Sequence, residues 1–245
     1  MKDDTFKIIV DKEVPDVDVL VAGFPGNGLI GGIASEQLIN TLDLEQIASM
    51  TSDLFPPTAV IFEGVPRRPV RIFSGDGFLL AKSDMVIPPE LSSSLAEALV
   101  GWAVENEIGE VIIFDGIPSN GDREEGKIWG VLSSHEAEKD AEKLDLDIID
   151  RGAISGISSS LLLNAHENDL KAIGMLAEGN PKIPDPRSAA RLLEKFAKFK
   201  DIEVETESLI ESAEQLEKQY SKLVSQTKEA KKDIEHRTAH PPLYG

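Results

Sequence analysis

Short apolar runs rich in β-branched residues alternate with longer amphipathic segments through the first 200 residues of the chain. The short runs suit buried strands, and the segments whose apolar residues recur every three or four positions suit helices. The predicted strands are 17–24, 58–62, 69–73, 77–82, 110–116, 127–133, 151–155 and 170–179. The predicted helices are 28–42, 88–106, 134–144, 156–166 and 185–200. This alternation predicts an α/β layered domain with a largely parallel or mixed sheet.

Three of the predicted strands, 58–62, 69–73 and 77–82, follow one another closely along the chain. The last two are joined by the polar segment 74–77, which predicts a hairpin turn.

The pattern changes after about residue 200. The segment 205–237 contains neither glycine nor proline, and its apolar residues recur with heptad spacing. This predicts a long amphipathic or coiled-coil helix with Thr206 as its N-cap, which the Pro241–Pro242 pair ends. Because the apolar stripe is narrow, the helix must lie on the body or pair with copies of itself. The residues predicted to make that helix packing or oligomerisation contact are Leu209, Leu216, Tyr220 and Leu223.

We therefore predict three parts of the chain. Residues 1–203 form an α/β body, residues 204–238 form the amphipathic helix, and residues 239–245 form a short tail.

The charge of the chain excludes some classes of binding partner. It has 44 acidic and 25 basic residues, so the net charge of −19 repels nucleic acid and anionic membranes, and neither is an expected partner. There is no cysteine, which excludes disulfides and thiolate metal ligands. No apolar run is long enough to span a bilayer, and no signal peptide is evident. We expect a cytoplasmic protein.

The segment GNGLIG, residues 26–31, fits the G-x-G-x-x-G pattern between a predicted strand and a predicted helix. That context favours a dinucleotide site, but Pro25 adds a second bend before the glycines. The acidic residue expected about 20 positions later, after a second strand, is also missing, because Asp43 and Glu45 precede the next strand. The other interpretation is a tight turn whose glycines permit close backbone approach.

Other polar groups are weak candidates for chemistry. The loop 115–126 follows a predicted strand, where open α/β sheets bind ligands, but Asp115, Asn120 and Asp122 are equally typical of turns. The segment GISSS, 156–160, lacks the closing glycine of a serine elbow. None of the four histidines lies in a metal-binding motif such as H-E-x-x-H, and although His236 and His240 are four positions apart, the prolines that follow break the helix. We therefore predict no catalytic residue, metal or cofactor. The alternative is a small-molecule transferase or hydrolase that uses the glycine-rich turn and the 115–122 loop.

The tail has the properties of a docking peptide. Two prolines make it stiff, so little conformational entropy is lost when it is ordered. Leu243 and Tyr244 then place a hydrophobe and an aromatic ring beside the carboxylate of Gly245. The alternative is a disordered terminus without a role.

Four features together resemble the proteasome assembly chaperone family in its archaeal form. They are the block VLVAGFPGNGLIGGIASEQLI (19–39), the strand and loop VIIFDG (111–116), the segment ISGISSSLLL (154–163) and a helical extension after the α/β body. Leu243-Tyr244-Gly245 also resembles the hydrophobic-tyrosine-any residue tail by which proteasome activators and assembly factors engage the core particle.

The resemblance implies a body similar to phosphorylase and peptidase-like folds, acting as an ATP-independent chaperone or adaptor and not as an enzyme. It implies a homo-oligomer that binds the α subunits of the proteasome core particle. Whether a homologous chaperone is also needed is left open. The resemblance further implies that Leu243 and Tyr244 lie in the groove between adjacent α subunits and that the carboxylate of Gly245 pairs with a lysine there. The resemblance assigns a structural turn to Gly23, Phe24, Pro25, Gly26, Gly28 and Gly31.

Overall fold

The computed structural model describes residues 5–118, 127–181 and 183–215. The strands of these ranges, β1 to β11 in chain order, are Lys7–Val10, Val19–Gly23, Glu45–Thr51, Val60–Phe62, Val65–Arg67, Val70–Gly75, Phe78–Ser83, Glu110–Pro118, Ile128–Leu132, Asp147–Ile148 and Lys171–Gly179. The helices α1 to α5 are Ile30–Leu42, Ser92–Glu105, Glu138–Lys143, Ile157–Glu167 and Pro186–Lys200. A further helical segment covers 207–215. Among the described helices, none combines the length and apolar character that crossing a bilayer requires.

Nine of the strands form one mixed sheet in the order β1-β3-β6-β7-β2-β8-β11-β9-β10. Its centre is parallel, because β2 pairs in parallel with β7 and β8, and β8 pairs in parallel with β11. Antiparallel strands extend both sides of this centre. Every residue of β2 is buried, as expected for a central strand covered on both faces. The predicted α/β layered fold with a mixed sheet is confirmed.

Helices cover both faces of the sheet. On one face, α2 and α4 pack against each other and against a core that includes Leu95, Leu99 and Leu161. On the other face, α1 and α5 pack together, and Ile30 and Phe196 belong to a second core. The sheet therefore separates two hydrophobic cores, and each core is closed by its own helix pair.

The described start of the C-terminal helix lies on the body. The carbonyl of Thr206 accepts hydrogen bonds from the backbone N–H groups of Leu209 and Ile210, so the helix begins where predicted. The capping side chain is Glu205, whose Oε1 accepts from the N–H of Ser208 at 2.9 Å. Leu209 is buried in the same core as α1 and α5.

The remaining predicted packing and docking residues lie outside the described residues. They are Leu216, Tyr220, Leu223, Leu243, Tyr244 and Gly245. The three-part division of the chain therefore stays a prediction.

One predicted strand is wrong: residues 151–155 are not a strand, and four of these five residues are exposed. The predicted strand at 58–62 is present as β4, which pairs with β5 in a separate two-stranded sheet and not with the β6–β7 hairpin. The predicted turn between β6 and β7 is correct, with positive φ at Asp76 and Gly77.

Phe196 should be one of the costliest core positions to truncate. Its ring lies edge-on to Phe78 and Phe114, with centroids 5.5 and 5.1 Å away, so α5 is fixed to two strands. We expect Phe196→Ala to lower the free energy of unfolding by about 3–5 kcal/mol in a denaturant titration. The control Val86→Ala, at a side chain that is 63% exposed, should change it by less than about 0.5 kcal/mol. Equal effects of the two variants would contradict this account of the core.

Candidate functional site

The glycine-rich turn joins β2 to α1 at the carboxyl ends of the parallel strands β2, β8 and β11. Its residues Asn27–Leu29 form a short 3-10 turn. Gly28 has φ of 62°, a conformation that glycine adopts without strain, and Leu29 has φ of 53°. Open α/β sheets bind ligands at this edge, so the turn is the first place to look for a site.

The glycines of the turn lie against protein atoms on every side. A Cβ on Gly31 would lie 2.2 Å from the carbonyl oxygen of Phe114 in β8. A Cβ on Gly26 would lie 2.3 Å from Oδ1 of Asp115, and one on Gly23 would lie 1.8 Å from Oγ of Ser35. Close approach of backbone therefore requires glycine at position 31, and beside Gly23 and Gly26 the space for a Cβ is filled by the side chains of Ser35 and Asp115.

Hydrogen bonds connect the turn to two neighbouring elements. Asn27 Nδ2 donates to the carbonyl of Gly116 in β8 at 3.0 Å. The backbone N–H of Asp185 donates to the carbonyl of Gly28 at 2.8 Å. Asp185 is also the N-cap of α5, because its Oδ1 accepts from the N–H of Ser188 at 3.0 Å. One turn thus sets the position of the end of β8 and the start of α5.

Asp115 is the titratable group at the centre of this edge. Its Oδ2 accepts a hydrogen bond from Ser158 Oγ at 2.5 Å, and its Oδ1 accepts from the N–H of Gly116 at 2.7 Å. Burial raises the pKa of Asp115, and the hydrogen bonds from Ser158 and Gly116 lower it in part. Ser158 lies in the first turn of α4, two residues after the N-cap Gly156. The pair therefore joins β8 to α4.

The Asp115–Ser158 pair is not a nucleophilic triad. His166, on the same helix as Ser158, has its Nδ1 2.8 Å from the carbonyl of Ser133. In the part of the chain that the structure describes, no three His, Cys, Asp or Glu side chains converge as a metal site would require. Asn120 and Asp122, the other polar residues of the predicted loop, lie outside the described residues.

Sequence reasoning missed Ser158 and Asp185. GISSS does not complete a serine elbow, so the sequence pattern does not identify Ser158 as a site residue. Nothing local in the sequence indicates its hydrogen bond to Asp115, which is 43 positions away. Asp185 had a readable signal, because an Asp-Pro pair before a helical segment is typical of an N-cap and a first helical position.

The dinucleotide interpretation fails on topology. The strand after α1 is β3, which pairs antiparallel with β1 and β6 and is separated from β2 by β6 and β7. A dinucleotide fold needs that strand beside β2 and parallel to it. Glu45 begins β3, where its carboxylate contacts Lys12.

Comparison with known proteins shows the family. Residues 20–224 match the model of the PAC2 family. The chain belongs to the PAC2 family. The matched range begins in β2, includes the glycine-rich turn and both helix pairs, and extends past the described start of the C-terminal helix.

Three relatives of this PAC2 chain are informative. A Methanocaldococcus jannaschii protein is 33% identical over 208 residues, which cover 85% of this chain and 86% of the relative. Pyrococcus furiosus PbaA, described as an archaeal homolog of proteasome-assembly chaperone, is 31% identical with a TM-score of 0.80, covering 94% of this chain and 97% of PbaA. Pyrococcus furiosus PbaB, described as an archaeal proteasome activator, shares the fold at 24% identity and a TM-score of 0.78, covering 91% and 99% of the two chains.

The close approach of α1 to β8 predicts opposite effects at two adjacent glycines of the PAC2 chain. Gly31→Ala should lower the free energy of unfolding by about 1–3 kcal/mol, because the new methyl group meets backbone atoms of Phe114 and Phe24. Gly32→Ala should raise it by about 0.5–1 kcal/mol, because its methyl group meets only Pro25 at ordinary contact distances. Denaturant titration measures both, and a neutral Gly31→Ala would contradict the close approach.

The raised pKa of Asp115 predicts a pH dependence with a definite sign. Above the ordinary value of 3.8 the unfolded chain loses this proton while the folded chain keeps it. The contribution of Asp115 to the free energy of unfolding therefore falls as pH rises from about 4, until the pH passes the folded pKa. Asp115→Asn, which keeps the shape of the side chain, should remove this contribution.

The measurement is the urea midpoint of the wild type and of Asp115→Asn across roughly pH 4 to 8. The wild type should lose stability relative to the variant as pH rises. A constant difference between the two proteins across this range would show that Asp115 does not titrate with a raised pKa.

Proposed function

We propose that this protein is an ATP-independent, cytoplasmic assembly chaperone or adaptor of the proteasome core particle. The observation that carries the proposal is the similarity to PbaA along nearly the whole chain, at 31% identity and a TM-score of 0.80. PbaA is described as a homolog of proteasome-assembly chaperone, and identity at this level over 94% of the chain supports a common role.

We further propose that the tail makes the contact with the core particle. Leu243 and Tyr244 enter the groove between adjacent α subunits, and the carboxylate of Gly245 pairs with a lysine there. Tyrosine suits this role because it presents a large apolar face and one polar group. Pro241 and Pro242 support the proposal, because a stiff segment loses little entropy on docking.

We also propose that the protein is a homo-oligomer, because several copies of a weakly binding tail act together. Three residues bury little surface, so one tail binds weakly, but several tails on one ring gain about 10²–10⁴-fold through effective concentration. The start of the C-terminal helix is positioned by the body, because Leu209 and Ala213 are buried. Such a helix presents each tail at a defined place relative to the oligomer.

The alternative, a small-molecule transferase or hydrolase, has one observation in its favour. Asp115 and Ser158 meet at the sheet edge where related architectures bind ligands. However, both carboxylate oxygens of Asp115 accept hydrogen bonds from the protein itself, and the space beside Gly26 is occupied by Asp115. The arrangement favours a structural role for the pair.

Deleting Leu243–Gly245, or making Tyr244→Ala, should weaken binding to proteasome α subunits by more than about tenfold, because the anchor ring is lost. The measurement is co-elution of purified protein with the core particle. Two variants test the motif and not merely its composition: exchanging Leu243 and Tyr244, and adding one glycine after Gly245. Both should bind as weakly as the deletion.

Phe substituted at Tyr244 should keep much of the binding, because it retains the ring. Binding that is unchanged by the deletion and by Tyr244→Ala would rule out the docking role of the tail. The circular dichroism spectrum of each variant should match that of the wild type, since the changes lie far along the chain from both cores.

A further inference from the structure

The β4–β5 hairpin, residues 60–67, is set apart from the rest of the sheet, and we call it the arm. Among the strands that the structure describes, its two strands pair only with each other. The two central residues of its turn, Glu63 and Gly64, have φ of 50° and 79°, the pattern of a tight type I′ hairpin turn. The local turn therefore defines the arm without help from the main sheet.

Both faces of the arm expose apolar side chains. The register places Phe62 opposite Val65 on one face and Ile61 opposite Pro66 on the other. Ile61 is 65% exposed, Phe62 56% and Val65 47%. An isolated two-stranded hairpin is marginally stable in water, and a contiguous exposed apolar patch marks a site of interaction. The arm therefore has the character of an element that another surface covers.

A groove of about 740 Å³ lies between α2 and α4, on the outer side of one helix layer. We call it the α2–α4 groove. Its apolar lining includes Phe6, Trp102 and Leu163, and Leu163 is 60% exposed. Its acidic lining includes Glu97 and Glu167, both exposed. The groove thus combines apolar surface with negative charge.

We propose that the arm of one copy of this chain docks in the α2–α4 groove of a second copy. The proposal rests on the homo-oligomer of the proposed function and names the surfaces that form it. The arm offers apolar side chains on both faces, and the groove offers an aromatic ring and an exposed leucine to receive them.

Charge complementarity favours a second copy as the occupant. Two chains that each carry a net charge of −19 repel one another, so contact between them needs a locally basic surface. Arg67 in the arm and Arg68 directly after it supply that surface. Within the described ranges, neither arginine is paired with an acidic side chain. The hydrogen-bond partner of Arg68 is the neutral Ser49, whose Oγ accepts at 3.2 Å. Glu97 and Glu167 in the groove supply the opposite charge.

Because the chain has no cysteine, the contact is testable by directed disulfide formation. Full-length Val65→Cys, carrying an N-terminal tag, is mixed with untagged Leu163→Cys and mildly oxidised. We expect a disulfide-linked dimer of tagged and untagged chains. The control mixes tagged Val65→Cys with untagged Lys198→Cys, an exposed position on α5 at the other face of the sheet. The control should give no mixed dimer.

Charge exchange tests the same contact in solution. Arg67→Glu should weaken self-association by at least about tenfold in sedimentation experiments, because like charges then face each other. Adding Glu97→Arg and Glu167→Arg to the same chain should restore it. Phe62→Asp should also shift the protein towards the monomer, and each variant's circular dichroism and thermal midpoint serve as the check on folding.

The outcomes separate this inference from the proposed function. A wild type that is monomeric overturns both the arm contact and the proposed homo-oligomer. An oligomeric wild type with no mixed disulfide, and with unchanged association of Arg67→Glu and Phe62→Asp, overturns the arm contact alone. An arm variant that stays oligomeric but no longer binds the core particle would show that the arm contacts the core particle. That result would also overturn the inference.

Discussion

The close approach of the glycine-rich turn and the start of α1 to β8 is the contact on which much of the body depends. Gly31 leaves no room for a Cβ beside the carbonyl of Phe114, so α1 lies directly on the sheet. The carbonyl of Gly28 then receives the N–H of Asp185, which begins α5. A side chain at Gly31 would separate the helix from the strand and disturb the contacts that follow from it.

Asp115 extends the same contact to the other face of the sheet. Its carboxyl group fits beside Gly26, in the space that a Cβ there would need, and accepts a hydrogen bond from the hydroxyl group of Ser158 in α4. The two helix layers are therefore connected through one strand end. The result is a half-buried carboxyl group with a raised pKa, because loss of solvent disfavours its charged form more than two hydrogen bonds favour it. A carboxyl group with a raised pKa is typical of an active site, but the hydrogen-bond partners of Asp115 are the backbone of Gly116 and the side chain of Ser158 in α4.

The surfaces proposed for interaction lie at the periphery of this rigid body. The arm lies between β3 and β6 in the chain. The C-terminal helix begins on the hydrophobic core that α1 and α5 cover. Among the described strands, those of the arm pair with none of the main sheet, so a contact at the arm leaves the hydrogen bonds of that sheet unchanged. This arrangement suits the proposed adaptor role, because a tightly packed body can remain unchanged while an element beside it contacts another chain.

The sequence by itself determined the fold class, most of the elements and the family resemblance. Apolar periodicity is a local property, so helices such as 156–166 and 185–200 and the β6–β7 hairpin could be read from neighbouring residues. The order of the strands in the sheet could not be read in this way, because β3 lies on the far side of β6 and β10 pairs with β9 through contacts between distant segments. The separation of β4 from the main sheet could not be read either, because a strand's partner is not a property of its own residues. Only the tertiary structure decided that Gly31 meets Phe114 and that Asp115 meets Ser158, because these contacts depend on where separate elements pack and leave no mark on the local pattern.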